Sequence, residues 1–260
     1  AVATGEALER EADGRFVFLR GCFGDVKSLL DQAGVDGVDG FVLDVGVSSM
    51  QLDIAERGFS FRRDGPLDMR MDTASGGMTA ADIVNTYEEE ALANLIYEYG
   101  EERRSRHVAH RIVERRKEKP FTTTLDLAEV IRSVIYKTHK DKVDPATRTF
   151  QALRIAVNDE LGELSRALDA SEGVLVEGGR VVVVSFHSLE DGMVKRFIKE
   201  KEGGFSGSRH MPQMQEPEPS VFKGLSRKAI KPSDIEVSEN PRSRSARLRG
   251  AVRLSKRGGA

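Results

Sequence analysis

Short apolar runs and helical periodicity alternate near the two ends of the chain, on either side of a purely helical middle. The runs are continuous rather than alternating, which favours buried strands. The elements predicted from this pattern are helices over 1–12 and 26–32 and strands over 16–19, 41–43, 181–184 and 246–254. Fully apolar strands separated by helices are typical of a parallel sheet covered on both faces. We therefore expect an α/β fold with functional groups at strand carboxyl ends, where Asp44 stands.

The middle of the chain, from Thr79 to about residue 140, has helical periodicity and no strand pattern. Thr79 and Asp82 have the spacing of a capping box, and Gly100 is a typical helix stop. Two further helices are predicted over 101–119 and 125–136. This block predicts an inserted all-helical domain. The expected domain bounds are 1–62 and 144–200 for two parts of one α/β domain, 63–143 for the helical insertion, and 201–260 for a loop and basic C-terminal segment.

The α/β pattern returns after the helical block. Asp144-Pro145 is a typical helix start, and the apolar stripe from Phe150 to Leu168 predicts one helix that packs into the core. Residues 45–78 and 203–245 are rich in Gly, Ser and charge, so we expect loops there.

Charge is distributed unevenly along the chain. With 40 Lys and Arg against 42 Asp and Glu, the whole chain carries −2, which argues against a basic nucleic-acid-binding protein. From Pro241 to Ala260, however, there are seven basic residues and no acid, so the remaining residues carry −9. Seven uncompensated positive charges would attract phosphate groups.

Composition excludes several protein classes. The hydrophobic fraction of 39% is too high for a fully disordered chain. The single cysteine, Cys22, excludes an internal disulfide and suits a reducing compartment. No run approaches the roughly 18 apolar residues of a membrane span.

Several motifs give the chain a specific resemblance. Polar residues are dense beside the predicted strands, and these segments, in this order, resemble the family of ribosomal RNA small-subunit methyltransferase H, also called MraW. Ser-Met-Gln-Leu-Asp at 49–53 and Gly207–His210 are most similar to alphaproteobacterial and mitochondrial members. The segments that carry the resemblance are 44–53, 56–72, 99–102, 148–155, 158–161, 185–191 and 240–249.

The resemblance implies a class I, Rossmann-like methyltransferase sheet with an inserted helical domain. It implies S-adenosylmethionine as the methyl donor and N4 of a cytosine in the decoding region of small-subunit ribosomal RNA as the acceptor. The family's cofactor-contacting positions correspond to Phe23, Asp44 and Gln51. The implied partner is small-subunit ribosomal RNA or the small ribosomal subunit. No membrane association is implied, and the formation of a homodimer is left open. Bacterial cytoplasm and mitochondrial matrix both fit.

The chain also departs from the family pattern. Members begin with a strand, a loop of the form Gly-x-Gly-Gly-His, a helix and a second strand ending in Asp-Arg-Asp-Pro, and Ala1 follows that point. Because that loop and acid would contact the cofactor, we expect the sheet to be truncated at its N-terminal side and cofactor binding to be poor.

The proposed chemistry needs groups that accept hydrogen bonds. A cytosine amine is a weak nucleophile, and acceptors for its two N–H groups favour attack on the methyl group. Asp44, Ser48, Ser49 and His187 are the candidate catalytic residues, with none assigned as the general base. The arginines expected to contact RNA are Arg57, Arg70, Arg148, Arg244, Arg247 and Arg249.

Other charged groups have simpler explanations. His107 and His110 lack a third ligand for a metal, and Asp64, Asp68 and Asp72 lack the Gly and Glu of a calcium loop, so no metal site is expected. The three aspartates are expected to pair with nearby arginines, and the basic residues of 103–119 to form a solvated face.

Two alternatives to an active methyltransferase remain. The chain could be a non-catalytic RNA- or ribosome-binding protein that keeps the RNA surface without the donor site. It could also be a fragment that does not fold stably, since the strands absent from it would be central in the sheet.

Overall fold

Four strands form one mixed sheet in the order β1-β2-β4-β3. The structure, a computed structural model, describes residues 2–74, 76–136, 143–203 and 219–255. The strands are β1 (Val38–Asp44), β2 (Leu175–Ser185), β3 (Phe222–Gly224) and β4 (Arg247–Arg253). The helices are α1 (Val2–Glu11), α2 (Val26–Gln32), α3 (Ser49–Asp53), α4 (Ala80–Thr86), α5 (Glu89–Gly100), α6 (Ser105–Glu118), α7 (Thr124–Val134), α8 (Ala146–Asn158), α9 (Glu160–Val174), α10 (Ser188–Lys201) and α11 (Asp234–Glu239).

The sheet confirms the α/β class and is consistent with a Rossmann-like arrangement. Strands β1 and β2 run parallel, with Asp44 opposite Val184, whereas β4 runs antiparallel to both β2 and β3. The expected parallel sheet is therefore only partly found, because β3 and β4 form an antiparallel pair that needs no crossover helix. We expected both faces of the sheet to be covered by helices, but Val42 of β1 is 68% exposed, so one face is partly uncovered there.

The strand predicted over residues 16–19 is wrong. Among the described residues this segment has no ladder partner, and Val17 is 59% exposed. Instead, the backbone N–H of Phe18 donates a hydrogen bond of 3.0 Å to the Glu9 carboxylate of α1. An apolar run becomes a strand only where a neighbouring strand accepts its backbone hydrogen bonds. The helices predicted on either side of this segment are confirmed.

Two further predictions need correction. The stripe from Phe150 to Leu168 lies on two helices, because Asp159, with φ of 48°, separates α8 from α9. The predicted loops contain regular structure: α3 and a 3-10 helix at Ala55–Arg57 lie within 45–78, and β3, α11 and a 3-10 helix at Pro241–Ser245 lie in the described part of 203–245. The Gly207–His210 motif lies outside the described residues.

The chain divides into two compact units, residues 1–45 with 161–260, and residues 46–160. In the first, the sheet packs on α9 and α10 around Leu43, Leu164, Val181 and Phe197. This core covers one face of the sheet.

The second unit is all-helical, as the sequence predicts for this part of the chain. Leu92, Ile112, Leu127 and Leu153, from α5 to α8, are fully buried in its core. The Thr79–Asp82 capping box is confirmed, and α5 ends at Gly100. The functional domain bounds given above stay a prediction. Within the described residues, no helix is both long and apolar enough to cross a membrane.

Candidate active site

Asp44 stands at the carboxyl end of β1, at the edge of the sheet where functional groups are expected. It pairs in register with Val184 of β2, and the backbone N–H of Val45 donates to the Val184 carbonyl at 3.1 Å. Its side chain is exposed, and within the described part of the chain nothing donates a hydrogen bond to its carboxylate. Asp44 is therefore an acceptor that the protein itself leaves available.

The turn that follows β2 lies at the same edge of the sheet and brings His187 there. Glu190, the third residue of α10, is 1% exposed, and its Oε2 accepts from the backbone N–H groups of Phe186 at 2.9 Å and His187 at 3.3 Å. The His187 side chain is 10% exposed, and its Nε2 lies 3.1 Å from Glu190 Oε1. Neither ring nitrogen makes a hydrogen bond of good geometry to a described residue. Glu190 thus fixes the turn, and His187 is a largely buried imidazole.

Phe23 opens a 3-10 helix, Phe23–Asp25, and the residue is 38% exposed. The turn is held by α9, because the backbone N–H of Gly24 donates to Glu163 Oε2 at 2.8 Å. Burial, followed by the nearby carboxylates of Glu163 and Asp25, raises the pKa of the neighbouring Cys22 thiol above its ordinary 9.0. The turn therefore presents an aromatic ring to solvent from a fixed backbone.

Ser48, Ser49 and Gln51 lie together at the start of α3, in the helical unit. Ser48 Oγ accepts from the Gln51 backbone N–H at 3.3 Å, and Gln51 Oε1 accepts from the Ser48 N–H at 2.7 Å. These two residues form a capping box that was not predicted from the sequence. Both serines are exposed, and the Gln51 amide NH₂ has no hydrogen-bond partner among the described residues. The serine hydroxyls and this amide can therefore contact a ligand.

Arg57 and Arg70 stabilise the loop that contains them. Arg57 donates to the carbonyls of Arg70 at 2.8 Å and Met71 at 2.9 Å, and its guanidinium lies 5.6 Å from the centroid of the Phe59 ring. Arg70 forms two hydrogen bonds with Asp68, at 2.8 and 2.7 Å, which lower the pKa of that carboxyl. Both arginines thus have partners inside the protein.

The expected pairing of Asp64 with a neighbouring arginine is wrong. Asp64 Oδ1 accepts from the backbone N–H of Leu125 at 3.0 Å, which is also the main reason that the pKa of Asp64 is lowered. The aspartate therefore holds the start of α7. Arg148, in contrast to Arg57 and Arg70, is 57% exposed and lies 3.7 Å from Glu102.

The positive charge of the basic C-terminal segment is partly neutralised by an acid elsewhere in the chain, contrary to the expectation from sequence. Arg249 Nε and Nη2 donate to the two carboxylate oxygens of Asp191 at 2.7 and 3.1 Å, and the two side chains are 13% and 24% exposed. Arg247 donates to the Ala246 carbonyl at 2.7 Å, whereas Arg244 is exposed. The last two basic residues, at 256 and 257, lie outside the described part of the chain.

The basic helix α6 is not a uniformly solvated face. Arg115 forms hydrogen bonds of 2.7 Å with both carboxylate oxygens of Asp126. Arg116 donates to the carbonyls of Val84 and Tyr87, each at 2.8 Å. These two arginines pack against neighbouring elements of the helical unit.

Sequence reasoning missed three acidic residues that hold the candidate site in place, Glu163, Glu190 and Asp191. Each lies in the first turns of α9 or α10, where acids are common in any helix. The spacing of His187 and Glu190 is the one signal that could have indicated a cap. The contact of Glu163 with Gly24 and that of Asp191 with Arg249 join residues 139 and 58 positions apart in sequence, so no local pattern indicates them.

Comparisons with known proteins agree with the motifs. Residues 1–254 match the model of the MraW methylase family. The chain is 60% identical over 255 residues to ribosomal RNA small subunit methyltransferase H of Rhodospirillum rubrum, covering 96% of this chain and 77% of that protein. It is 58% identical over 257 residues to the protein of the same name from Paramagnetospirillum magneticum, covering 98% and 80%. With that of Methylobacterium nodulans, identity is 53% over 254 residues, covering 97% and 74%.

Proposed function

Since this chain belongs to the MraW methylase family and is a methyltransferase, we propose that it methylates N4 of a cytosine in the decoding region of small-subunit ribosomal RNA, with S-adenosylmethionine as the donor. The name shared by its relatives supports the ribosomal RNA substrate. The observation that carries the proposal is the exposed Asp44 carboxylate at the carboxyl end of β1, which no described residue uses. The relatives are bacterial, which favours a bacterial small subunit, and the cytoplasm, over the mitochondrial alternative.

The residues fit the proposed cofactor in chemical kind. S-adenosylmethionine contains an aromatic adenine, ribose hydroxyls and an amine, and it supplies an electrophilic methyl group on a sulfonium. An exposed ring at Phe23 suits an aromatic base, and a carboxylate at Asp44 suits N–H and O–H donors. The free amide NH₂ of Gln51 suits an acceptor on the ligand. Phe23 and Asp44 are proposed to hold the cofactor in the first unit, and Gln51 is proposed as a cofactor contact from the family resemblance alone.

The protein's own part in methyl transfer is alignment. The amine must be placed about 3–3.5 Å from the methyl carbon, in line with the bond that breaks. Asp44, or the exposed hydroxyls of Ser48 and Ser49, can accept the amine's N–H groups and stabilise its developing positive charge. His187 is largely buried beside Glu190 at the same edge of the sheet as Asp44, and we propose that its ring offers a further acceptor for the amine's N–H groups. Water can equally remove the proton from the product amine.

RNA binding is proposed for the helical insertion and the basic C-terminal segment. Arg148 and Arg244 are exposed and suit phosphate contacts. The other candidate arginines already have partners within the protein, so they could contact RNA only while keeping those partners: Arg57, Arg70, Arg247 and Arg249. A stacked cytosine amine is poorly accessible, so the target base must be turned out of its stack.

The test compares Asp44→Ala with Asp39→Ala in the natural full-length protein. Both aspartates are exposed on β1, but Asp39 is at the other end of the strand, so it serves as the matched control. Loss of a charge-assisted hydrogen bond of about 1.5–3 kcal/mol should weaken S-adenosylmethionine binding about 10- to 150-fold in Asp44→Ala, measured by calorimetry. Asp39→Ala should bind as the unchanged protein does.

Transfer is then assayed on small ribosomal subunits with a labelled methyl donor, and the methylated nucleotide is identified by mass spectrometry. N4-methylcytosine in the decoding region supports the proposal. A methyl group on another base, or RNA binding with no methyl transfer by the unchanged protein, would contradict it. Equal cofactor affinity of the two variants would show that Asp44 is not a cofactor ligand.

A further inference from the structure

Glu163 of α9 contacts the turn that presents Phe23, although no part of the proposed chemistry requires an acid there. Its side chain is 15% exposed, and its two oxygens have different partners. Oε2 accepts from the backbone N–H of Gly24 at 2.8 Å, and Oε1 accepts from Arg166 at 2.5 Å. The ion pair with Arg166 fixes the rotation of the carboxylate, so that the second oxygen points at the turn.

Helix α9 lies so close to the turn that a side chain at position 24 would meet the Glu163 carboxylate. A Cβ atom on Gly24 would lie 2.7 Å from Glu163 Oε2 and 3.2 Å from Arg166 Cβ, and the first of these distances requires something to move. The φ angle of Gly24 is not in the left-handed region, so the backbone itself does not require glycine. Because that oxygen is the end of a flexible side chain, an alanine at position 24 would displace the Glu163 carboxylate from the turn.

We propose that Glu163 is a positioning residue for the cofactor, which holds the Cys22–Asp25 turn in the orientation that places Phe23 against it. This inference rests on the proposed function, in which Phe23 contacts S-adenosylmethionine. The carboxylate acts through the backbone of Gly24 and does not itself touch the cofactor.

Cys22 provides an independent readout of the same contact. After burial, the Glu163 carboxylate is the largest cause of the raised pKa of the Cys22 thiol. Removal of this charge should lower that pKa and make the thiolate more abundant at a given pH. Cys22 is the single cysteine of these 260 residues, so its rate of alkylation by iodoacetamide, followed on the peptide that contains it by mass spectrometry, reports on the turn.

The experiment uses Glu163→Ala and Glu163→Gln in the natural full-length protein, with Glu172→Gln as the control. Glu172 is on the same helix and pairs with Lys201 at 2.6 Å, away from the turn. In Glu163→Ala, the Gly24 N–H loses its acceptor, so S-adenosylmethionine affinity should fall about 5- to 30-fold. The KM for RNA and kcat at saturating cofactor should stay within about twofold.

Glu163→Gln keeps an acceptor oxygen but loses the charge. It should bind S-adenosylmethionine within about threefold of the unchanged protein, while Cys22 is alkylated faster at pH 8. Glu172→Gln should change neither quantity. This pattern separates positioning by the hydrogen bond from a general effect of charge on α9.

Two results would overturn the inference. One is faster alkylation of Cys22 in Glu163→Ala with unchanged cofactor affinity, since Glu163 would then contact the turn without positioning the cofactor. The other is an equal fall in kcat and in the affinity for RNA, which would indicate a general loss of structure. If Glu163→Ala does not fold, Gly24→Ala decides, because the added methyl group should weaken cofactor binding with Glu163 intact. If the unchanged protein does not bind S-adenosylmethionine, the proposed function fails, and the inference fails with it.

Discussion

Replacing Arg249 by alanine distinguishes two roles for this side chain, a phosphate contact and an internal ion pair. The sequence favours the first role, because Arg249 lies in a basic segment. The structure shows the second, with two hydrogen bonds to Asp191 at 2.7 and 3.1 Å and side-chain exposures of 13% and 24%. A charge-assisted hydrogen bond contributes about 1.5–3 kcal/mol, and removing one partner of a fully buried pair costs about 3–5 kcal/mol. Since both groups keep some contact with water, we expect Arg249→Ala to lower the free energy of unfolding by about 2–3 kcal/mol.

The assay combines denaturant unfolding with RNA binding at several salt concentrations. Asp191→Ala should destabilise the protein by a similar amount, and the double variant should show a coupling energy of about 1–2 kcal/mol. Because Arg249 is already paired, its loss should leave the salt dependence of RNA binding unchanged. Arg244→Ala is the matched control, since this exposed side chain lies in the same segment. Its loss should make the negative slope of the logarithm of the RNA-binding constant against log salt shallower by about 0.7–0.9. The free energy of unfolding should not change.

The opposite pattern would refute this reasoning. In that case the free energy of unfolding of Arg249→Ala would lie within about 0.5 kcal/mol of that of the unchanged protein, and the salt dependence of RNA binding would become shallower by about 0.7–0.9. Arg249 would then contact phosphate, and its pairing with Asp191 would contribute little to stability.

Three further predictions concern other contacts within the two units. Thr79→Ala removes half of a capping box and should lower the free energy of unfolding by about 1 kcal/mol in a denaturant titration, and an unchanged midpoint would contradict the cap. The pKa of Asp68 is below its usual 3.8 because Arg70 donates to it, so its contribution to stability is complete at neutral pH and is lost as the pH falls below about 4 through the lowered folded value. Unfolding of Asp68→Asn, followed against pH, should lack this part of the acid dependence. Glu190→Ala leaves two N–H groups of the turn after β2 without their acceptor and should cost about 2–3 kcal/mol, whereas Glu190→Gln keeps one acceptor oxygen and should cost about half as much in the same titration.

The elements that were predicted correctly are those whose backbone hydrogen bonds form within the element itself or with an adjacent strand. The valines of 181–184 form the centre of β2, which has β1 on one side and β4 on the other. The run at 16–19 has the same apolar character, yet no described strand lies beside it, so hydropathy alone predicted the wrong structure. The break at Asp159 was missed for a related reason, since apolar spacing of three and four continues across a left-handed residue that carries no helix-breaking side chain.

Within the candidate site, position along a strand was informative and long-range pairing was not. Asp44 and His187 could be proposed because polar residues directly after apolar strands lie at one edge of a parallel sheet, and β1 and β2 do end together there. The groups that hold the site are acids in the first turns of helices, and such acids are favoured by the helix dipole whether or not they have a partner. Glu163 is therefore indistinguishable in sequence from a surface acid, and its contact with Gly24 exists only once α9 has packed against the turn. The same holds for Arg249, whose sequence neighbours suggest RNA and whose folded partner is Asp191. A basic segment in sequence thus predicts a phosphate surface only for those side chains that the fold leaves unpaired, and Arg244 meets that condition more clearly than Arg249.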